Sequence, residues 1–390
     1  MRIIFDKYVN NQMFSKIYLR DIILYASQGN SDMLVLDFQN TSFISPSVLC
    51  DLLSVFSYIK ETYNTVIYLL FGWNTKLVEF LGNTDFFLAA DVGRSVYTDV
   101  LELSPITQKR ENTDKIRRIK LPTYFEPGYR GSEEVIYHFK DETIEEAESR
   151  IRQMVSKDFW SLNRKVESIA RLGINNDMYI ELSKAFSELI INAYSHAGGN
   201  YCYYTFQNYN RSGLSFVCSD NGSGCYYSFR EKIDLKWRKE GLFSDRVFFE
   251  YENDRYIRSL MGIVESILYR YYNNKQIFDR GIIDIIKTIL AVGKDHNPVF
   301  RIQSDYAMLQ IDARSVKKLF DGIDEINPLY FDYSSITPKI DVFEKLVLDQ
   351  SIRQDWITSK HVVFSPYYFP GVHISISIDP IREEKEGSDW

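Results

Sequence analysis

Within SELIINAYSHAGG (187–199), Glu188, Asn192 and His196 recur at steps of four. On a helix such residues stand one above another, so they form a single polar stripe. Leu182, Phe186, Leu189, Ile190 and Ala193 fall on an adjoining face, which sets the stripe at the border of a core. A second group, CSDNGSGC (218–225), places Asp220 at the end of an extended run, just before Gly222 and Gly224. Glycines at alternate positions admit backbone conformations and a closeness of approach that side chains hinder. An aspartate there can accept a hydrogen bond from an exocyclic amine, a donor that adenine carries and guanine lacks at the equivalent position. Each pattern also has a plainer origin. The stripe suits the wet side of an amphipathic helix, and Asp-Asn-Gly is common turn chemistry.

Both groups need elements to hold them. The spacing predicts a helix over about 177–196, then strands YCYYTFQNY (201–209) and GLSFVCSD (213–220) joined by an NRSG turn, with DNGSG closing the second. Upstream, EVIYHF is strand-like from about 133, and DETIEEAESRIRQMV has acidic residues at a helix start and arginines near its end. Downstream, GIIDIIKTILAVG is helical, VFRIQS and YAMLQID are extended, and GVHISISID (371–379) alternates as a closing strand. Residues 1–103 run strand, helix, strand through MLVLDF (33–38), PSVLCDLLSVFSYIKE (46–61) and TVIYLLF (65–71), with Pro46 at an allowed first-turn position. This order implies a small α/β domain. Residues 104–132, rich in charge, proline and glycine, read as a solvated linker that includes Lys115, Arg117 and Arg118, and 381–390 read as a charged tail.

Taken together, in this order and about 28 residues apart, the two groups resemble motifs of the GHKL ATPase superfamily, which includes gyrase, ATP-driven chaperones and histidine kinases. ELIINAYSH matches that family's Glu-Leu-x-x-Asn-Ala-x-x-His pattern from Glu188 to His196, and DNGSG resembles its first glycine box. The resemblance implies that the stripe faces ATP. It implies further that Asn192 coordinates Mg²⁺ through its amide oxygen, a hard ligand suited to that ion, that Glu188 orients or deprotonates the attacking group, and that His196 belongs to the nucleotide site. Asp220 would read adenine N6, and Gly222 and Gly224 would let the chain pass close to the base. FDRGIIDIIKTI (278–289) resembles the second glycine box, with Arg280 and Gly281 toward the phosphates, but Ile283 and Asp284 stand where a second glycine and a small or apolar residue are usual. Gly371-Val372 stands where Gly-Thr is common. Binding is therefore better supported than hydrolysis. The resemblance spans 133–380, with a lid at 225–280 and an insertion at 313–368.

The N-terminal stretch MLVLDFQNTSFISPSVLCDLL resembles the STAS domain of anti-sigma factor antagonists. Its turn is FISPSVL, in which Pro46 takes the place of the regulatory phosphoserine and Ser45 that of an acid. Proline has no hydroxyl, so that position cannot be phosphorylated. The expected fold class is thus α/β: an N-terminal STAS-like α/β domain followed by a GHKL (Bergerat) α/β sandwich with a mixed sheet and a helical layer. The function it implies is an ATP-binding regulatory protein, a slow ATPase or nucleotide-dependent switch acting on a protein partner. The alternatives are an anti-sigma type protein serine kinase and an ATP-binding scaffold without turnover. A sensor histidine kinase fits less well, because His138 lies in a strand-like run and not at the start of a long helix.

The bulk properties narrow the partners. A chain of 390 residues with 45% hydrophobic and 25% charged residues folds as two or three domains. A net charge of −7 supplies no global attraction to nucleic acid or to an anionic membrane. The apolar runs are too short or too interrupted to span a bilayer, and the N-terminus lacks a secretion pattern, so a cytoplasmic protein is expected, with a homodimer compatible. Cys50, Cys202, Cys218 and Cys225 show no CxxC spacing and read as buried free thiols. His296, His361 and His373 have no metal-ligand spacing and read as surface or core residues.

Overall fold

The computed structural model describes residues 1–29, 33–94, 96–100, 115–121, 136–137, 143–165, 175–209, 213–232, 251–268, 282, 285–286, 288–289, 296–312 and 361–380. His138, Arg280, Gly281, Ile283, Asp284, the tail 381–390, most of the insertion and part of the lid lie outside them.

The N-terminal unit is built on four parallel strands, β1 (Arg2–Ile4), β3 (Leu34–Asp37), β5 (Ile67–Leu70) and β6 (Val96–Thr98), in that spatial order. A parallel pair, β2 (Tyr8–Val9) and β4 (Phe43–Ile44), lies beside them. Helix α1 (Asn11–Met13) passes through a π-helical turn, Phe14–Tyr18, into α2 (Leu19–Ser27), and Asn10 caps its start by accepting from the Met13 amide at 3.0 Å. Helix α3 (Pro46–Tyr63) starts on proline, which needs no amide partner there, and stops at Asn64 in the left-handed region, φ 52°. Helices α4 (Thr75–Asn83) and α5 (Phe86–Ala89) complete the unit.

The second sheet has six strands in the order β11-β12-β10-β9-β7-β8. They are β7 (Ile116–Lys120), β8 (Ile136–Tyr137), β9 (Tyr201–Tyr209), β10 (Gly213–Asp220), β11 (His296–Asp312) and β12 (Val362–Pro380). Pairing is antiparallel except between β7 and β8. Helix α6 (Ile144–Lys165) opens with a reciprocal capping box, in which the Thr143 amide donates to Glu146 at 2.8 Å and the Glu146 amide to Thr143 Oγ1 at 3.2 Å. Helix α7 (Asn176–His196) is capped by Asn175, which accepts from the Met178 amide at 2.9 Å. Helices α8 (Gly224–Lys232) and α9 (Arg255–Leu268) follow β10.

Alternation along the strands shows how the layers stack. On β9, Cys202, Tyr204 and Phe206 join the core shared with α6, α7 and α9, whereas Tyr201 and Tyr203 join the core of the N-terminal unit. On β10, Leu214, Phe216 and Cys218 face the first core and Val217 the second. Phe159, Phe186, Phe206 and Phe216 interlock in the first, with ring centroids 4.6 to 5.4 Å apart. The sheet is therefore covered on both faces, by α6, α7 and α9 on one side and by α3 of the N-terminal unit on the other.

The structure bears out an α/β architecture, with one parallel and one mixed sheet, and corrects three readings. Residues 116–120, read within a linker, are strand β7, whose Ile116 and Ile119 are fully buried. Charge hid the strand. Arg118 is 4% exposed, stacks on the Tyr201 ring at 3.8 Å and donates to the Ala89 carbonyl, while Arg117 pairs with Asp158 and Lys115 with Asp85. Residues 362–368 of the insertion are the start of β12, paired with β11 through Val362 and Leu309. VFRIQS and YAMLQID are one strand, β11, kept continuous across an irregularity at Ser304 and Asp305 by pairing with β12. The four cysteines are buried and free, as their spacing suggested. Among the described residues, no helix is long and apolar enough to cross a membrane.

Candidate functional site

Helix α7 and the glycine turn after β10 meet directly. The Ser223 amide donates to the Ala197 carbonyl at 2.9 Å, and Ser228 Oγ donates to the His196 carbonyl at 2.8 Å. Asn221 clamps the junction. Its Oδ1 accepts from the Asn200 and Tyr201 amides, each at 2.9 Å, and its Nδ2 donates to Glu61 at 3.1 Å. Gly222 is required here because a Cβ would sit 2.1 Å from the Ala197 carbonyl oxygen. The close approach that this glycine permits is thus to the end of α7.

Asp220 keeps the parity of Phe216 and Cys218, so its side chain lies on the helical face of the sheet. Its Oδ1 accepts from the Gly222 amide at 2.8 Å and the Val372 amide at 3.2 Å, and no bond to Oδ2 occurs among the described residues. Burial pushes the carboxyl up to about 6, against the two backbone N–H groups and nearby His373, which pull it down. Gly371, at φ 86°, brings β12 against this residue, since a Cβ there would lie 1.9 Å from the Asp220 carbonyl oxygen.

A second buried carboxyl, Asp305, sits on the irregularity of β11 with φ 55°. Its Oδ2 accepts from Ser304 Oγ at 3.2 Å, whereas its Oδ1 is buried without a hydrogen-bond partner among the described residues. Gly224 packs on it, and a Cβ at that position would come within 2.5 Å of Oδ1. Burial raises Asp305 to about 7, with Asp220 adding to the rise and Ser304, the Tyr226 amide and Arg258 opposing it. The sequence reading missed this residue. Its one signal was an aspartate between two extended runs, where a strand of this length must tolerate a kink.

The polar stripe of α7 divides. Glu188 is nearly buried and its Oε1 is held by Arg152 of α6 at 3.2 Å, while Arg152 also reaches Glu148 at 3.4 Å. Asn192 is half-buried and His196 exposed. Among the described residues, no group of three or more His, Cys, Asp and Glu side chains could hold a metal ion. Asn192 offers one neutral oxygen, a donor that suits Mg²⁺ when phosphate oxygens and water complete its shell. The described parts of the segment read as a lid, α8 and α9, pack into the main core through Cys225, Tyr226, Leu260 and Met261. A Cβ on Gly262 of α9 would lie 2.7 Å from the Tyr226 backbone of α8.

On the opposite face of the sheet, Asp51 of α3 accepts from Ser219 Oγ at 2.8 Å and lies 3.0 Å from His373 Nδ1, whose Nε2 is 2.8 Å from the Pro370 carbonyl. Asp51 and His373, with Asn11, Ser47, Arg301 and Gln303, line a narrow crevice between the two units. His373 is thus a buried, fully engaged interface residue, one of the two readings its sequence position allowed. Compared with family models, curated proteins and solved structures, the chain finds no match in any of the three.

Proposed function

We propose that the protein binds an adenine nucleotide at the junction of α7 and the glycine turn and passes nucleotide occupancy on to a protein partner as a conformational signal. One observation carries this reading: Asp220 Oδ1 is fixed by two backbone amides while Oδ2 is left without a partner among the described residues, beside the end of α7. A carboxylate oriented in this way is a preorganised acceptor for an exocyclic amine. In this reading Asn192 supplies an oxygen to Mg²⁺ and the ion neutralises the phosphates. Glu188 is already engaged by Arg152 at 3.2 Å, which favours binding over turnover.

Calorimetry with ATP, ADP and GTP in Mg²⁺ is the direct test. The expected result is saturable binding of both adenine nucleotides with GTP much weaker, and Asp220→Asn costing about 1.5–3 kcal/mol, as for a hydrogen bond involving a charged group. Equal affinity for GTP, or no uptake of any nucleotide, removes the reading. Labelled ATP sorts the variants of it: released phosphate marks an ATPase, label on a partner protein marks a serine kinase, and binding alone marks a scaffold.

A further inference from the structure

Helix α3 is apolar over most of its surface, yet Asp51, Ser54, Ser57 and Glu61 form a polar stripe along it. Most of this stripe is spent on three consecutive residues at the end of β10. Ser219 Oγ donates to Asp51 at 2.8 Å, Ser54 Oγ donates to the Asp220 carbonyl at 2.6 Å, and Asn221 Nδ2 donates to Glu61 at 3.1 Å. A second route joins the same points. Asp51 lies 3.0 Å from His373 Nδ1, and the preceding residue, Val372, donates its amide to Asp220 Oδ1 at 3.2 Å. Asp51, His373, Val372, Asp220 and Ser219 therefore close a ring that crosses from α3 through two strands and back.

Asp51, Ser219, Asp220 and His373 are all buried, as is Ser54, so the side chains of this ring are shielded from water and their bonds are not exchanged for solvent contacts. An interface that needed only to adhere would be served by apolar side chains, as the rest of α3 is. Ser57 shows the contrast. It is equally part of the interface, yet it meets the Tyr203 hydroxyl at 2.5 Å, on β9 and away from the glycine turn.

We propose that Ser54 and Asp51 of the N-terminal unit are positioning residues for Asp220, so that the docking of α3 and the acceptor geometry on the far face of the sheet form one coupled equilibrium. The inference rests on the adenine-reading role given to Asp220, and its consequence is that the N-terminal unit regulates the site from behind by holding the strand end.

The test uses the full-length chain and the variants Ser54→Ala, Asp51→Asn and Ser57→Ala, with Ser54→Thr to restore a hydroxyl. Two readouts are taken: affinity for ATP and GTP by calorimetry, and hydrogen exchange of peptides containing the Gly222 and Val372 amides without nucleotide. Ser54→Ala and Asp51→Asn should each lower ATP affinity about tenfold, shrink the preference over GTP and speed exchange at those amides about tenfold. Ser57→Ala should move neither readout, and Ser54→Thr should recover part of the loss. Equal effects from all three variants would reduce the stripe to general interface packing and overturn the proposal, as would unchanged exchange in Ser54→Ala and Asp51→Asn. If the wild type takes up no adenine nucleotide, the binding reading falls, and the exchange measurement alone still decides whether α3 positions Asp220.

Discussion

Asp220 and Asp305 show how much a protein spends to keep a carboxyl out of water. Burial raises one to about 6 and the other to about 7, whereas the unfolded chain titrates near the ordinary carboxylate value of about 4. Between about pH 4 and pH 7 the folded state therefore holds more protons than the unfolded state, and the free energy of unfolding falls as pH rises through that window. The two groups interact, so the pair titrates in linked steps. Asp305→Asn removes one charge from this balance and can be followed by thermal unfolding at two pH values. At pH 8 the variant should melt higher than the wild type, by on the order of 3 °C. At pH 3, where the carboxyl is protonated in both the folded and the unfolded chain, the difference should vanish. A variant that melts lower at pH 8 would mean that ionised Asp305 is stabilised by a partner beyond those described.

At the level of elements, the helix over 176–196, the two strands after it and the turn at Asp220 were readable, because periodicity and glycine punctuation agreed there. Strand β7 was not readable. In IRRIK, Ile116 and Ile119 join different cores and Arg118 between them is buried too, its guanidinium over the Tyr201 ring and reaching a carbonyl. Sequence patterns score arginine as solvated and cannot see that ring. Asp51 and His373 were hidden for a related reason, since they meet across 322 positions of chain and neither has a local motif. Strand β7 makes a measurable claim. Ile119→Ala should cost about 2–5 kcal/mol in urea unfolding, as large-to-small changes in a core do, whereas a solvated linker would tolerate it at nearly no cost.

Across the whole molecule, the core of the N-terminal unit does not end at that unit. Ile116, Tyr201, Tyr203, Val217 and Phe369 of the second sheet belong to it, and α3 is buried along most of its length. Two domains joined by a free linker would unfold separately, while two that share a core should unfold together. Calorimetry is expected to show one transition, and circular dichroism and tyrosine fluorescence should give the same midpoint. A resolved early transition accompanied by loss of the N-terminal unit alone would contradict a shared core.

The same sharing bears on how the chain is made. Ser15 bonds to Gln303 and Asp51 meets His373, so the first sixty residues leave the ribosome long before their partners exist. At about 5–20 residues per second, the wait for β12 lasts roughly 15 to 60 seconds. Until β9 and β10 are made, the face of α3 that carries Asp51 and Ser54 has no sheet to cover it, and from then until β12 arrives the edge of β10 that pairs with it is open. Closing contacts of such sequence separation is slow even after synthesis ends. The last strand is thus the clasp of the fold, and a chain cut before Gly371 should accumulate as a chaperone-bound or aggregated species instead of a smaller soluble protein.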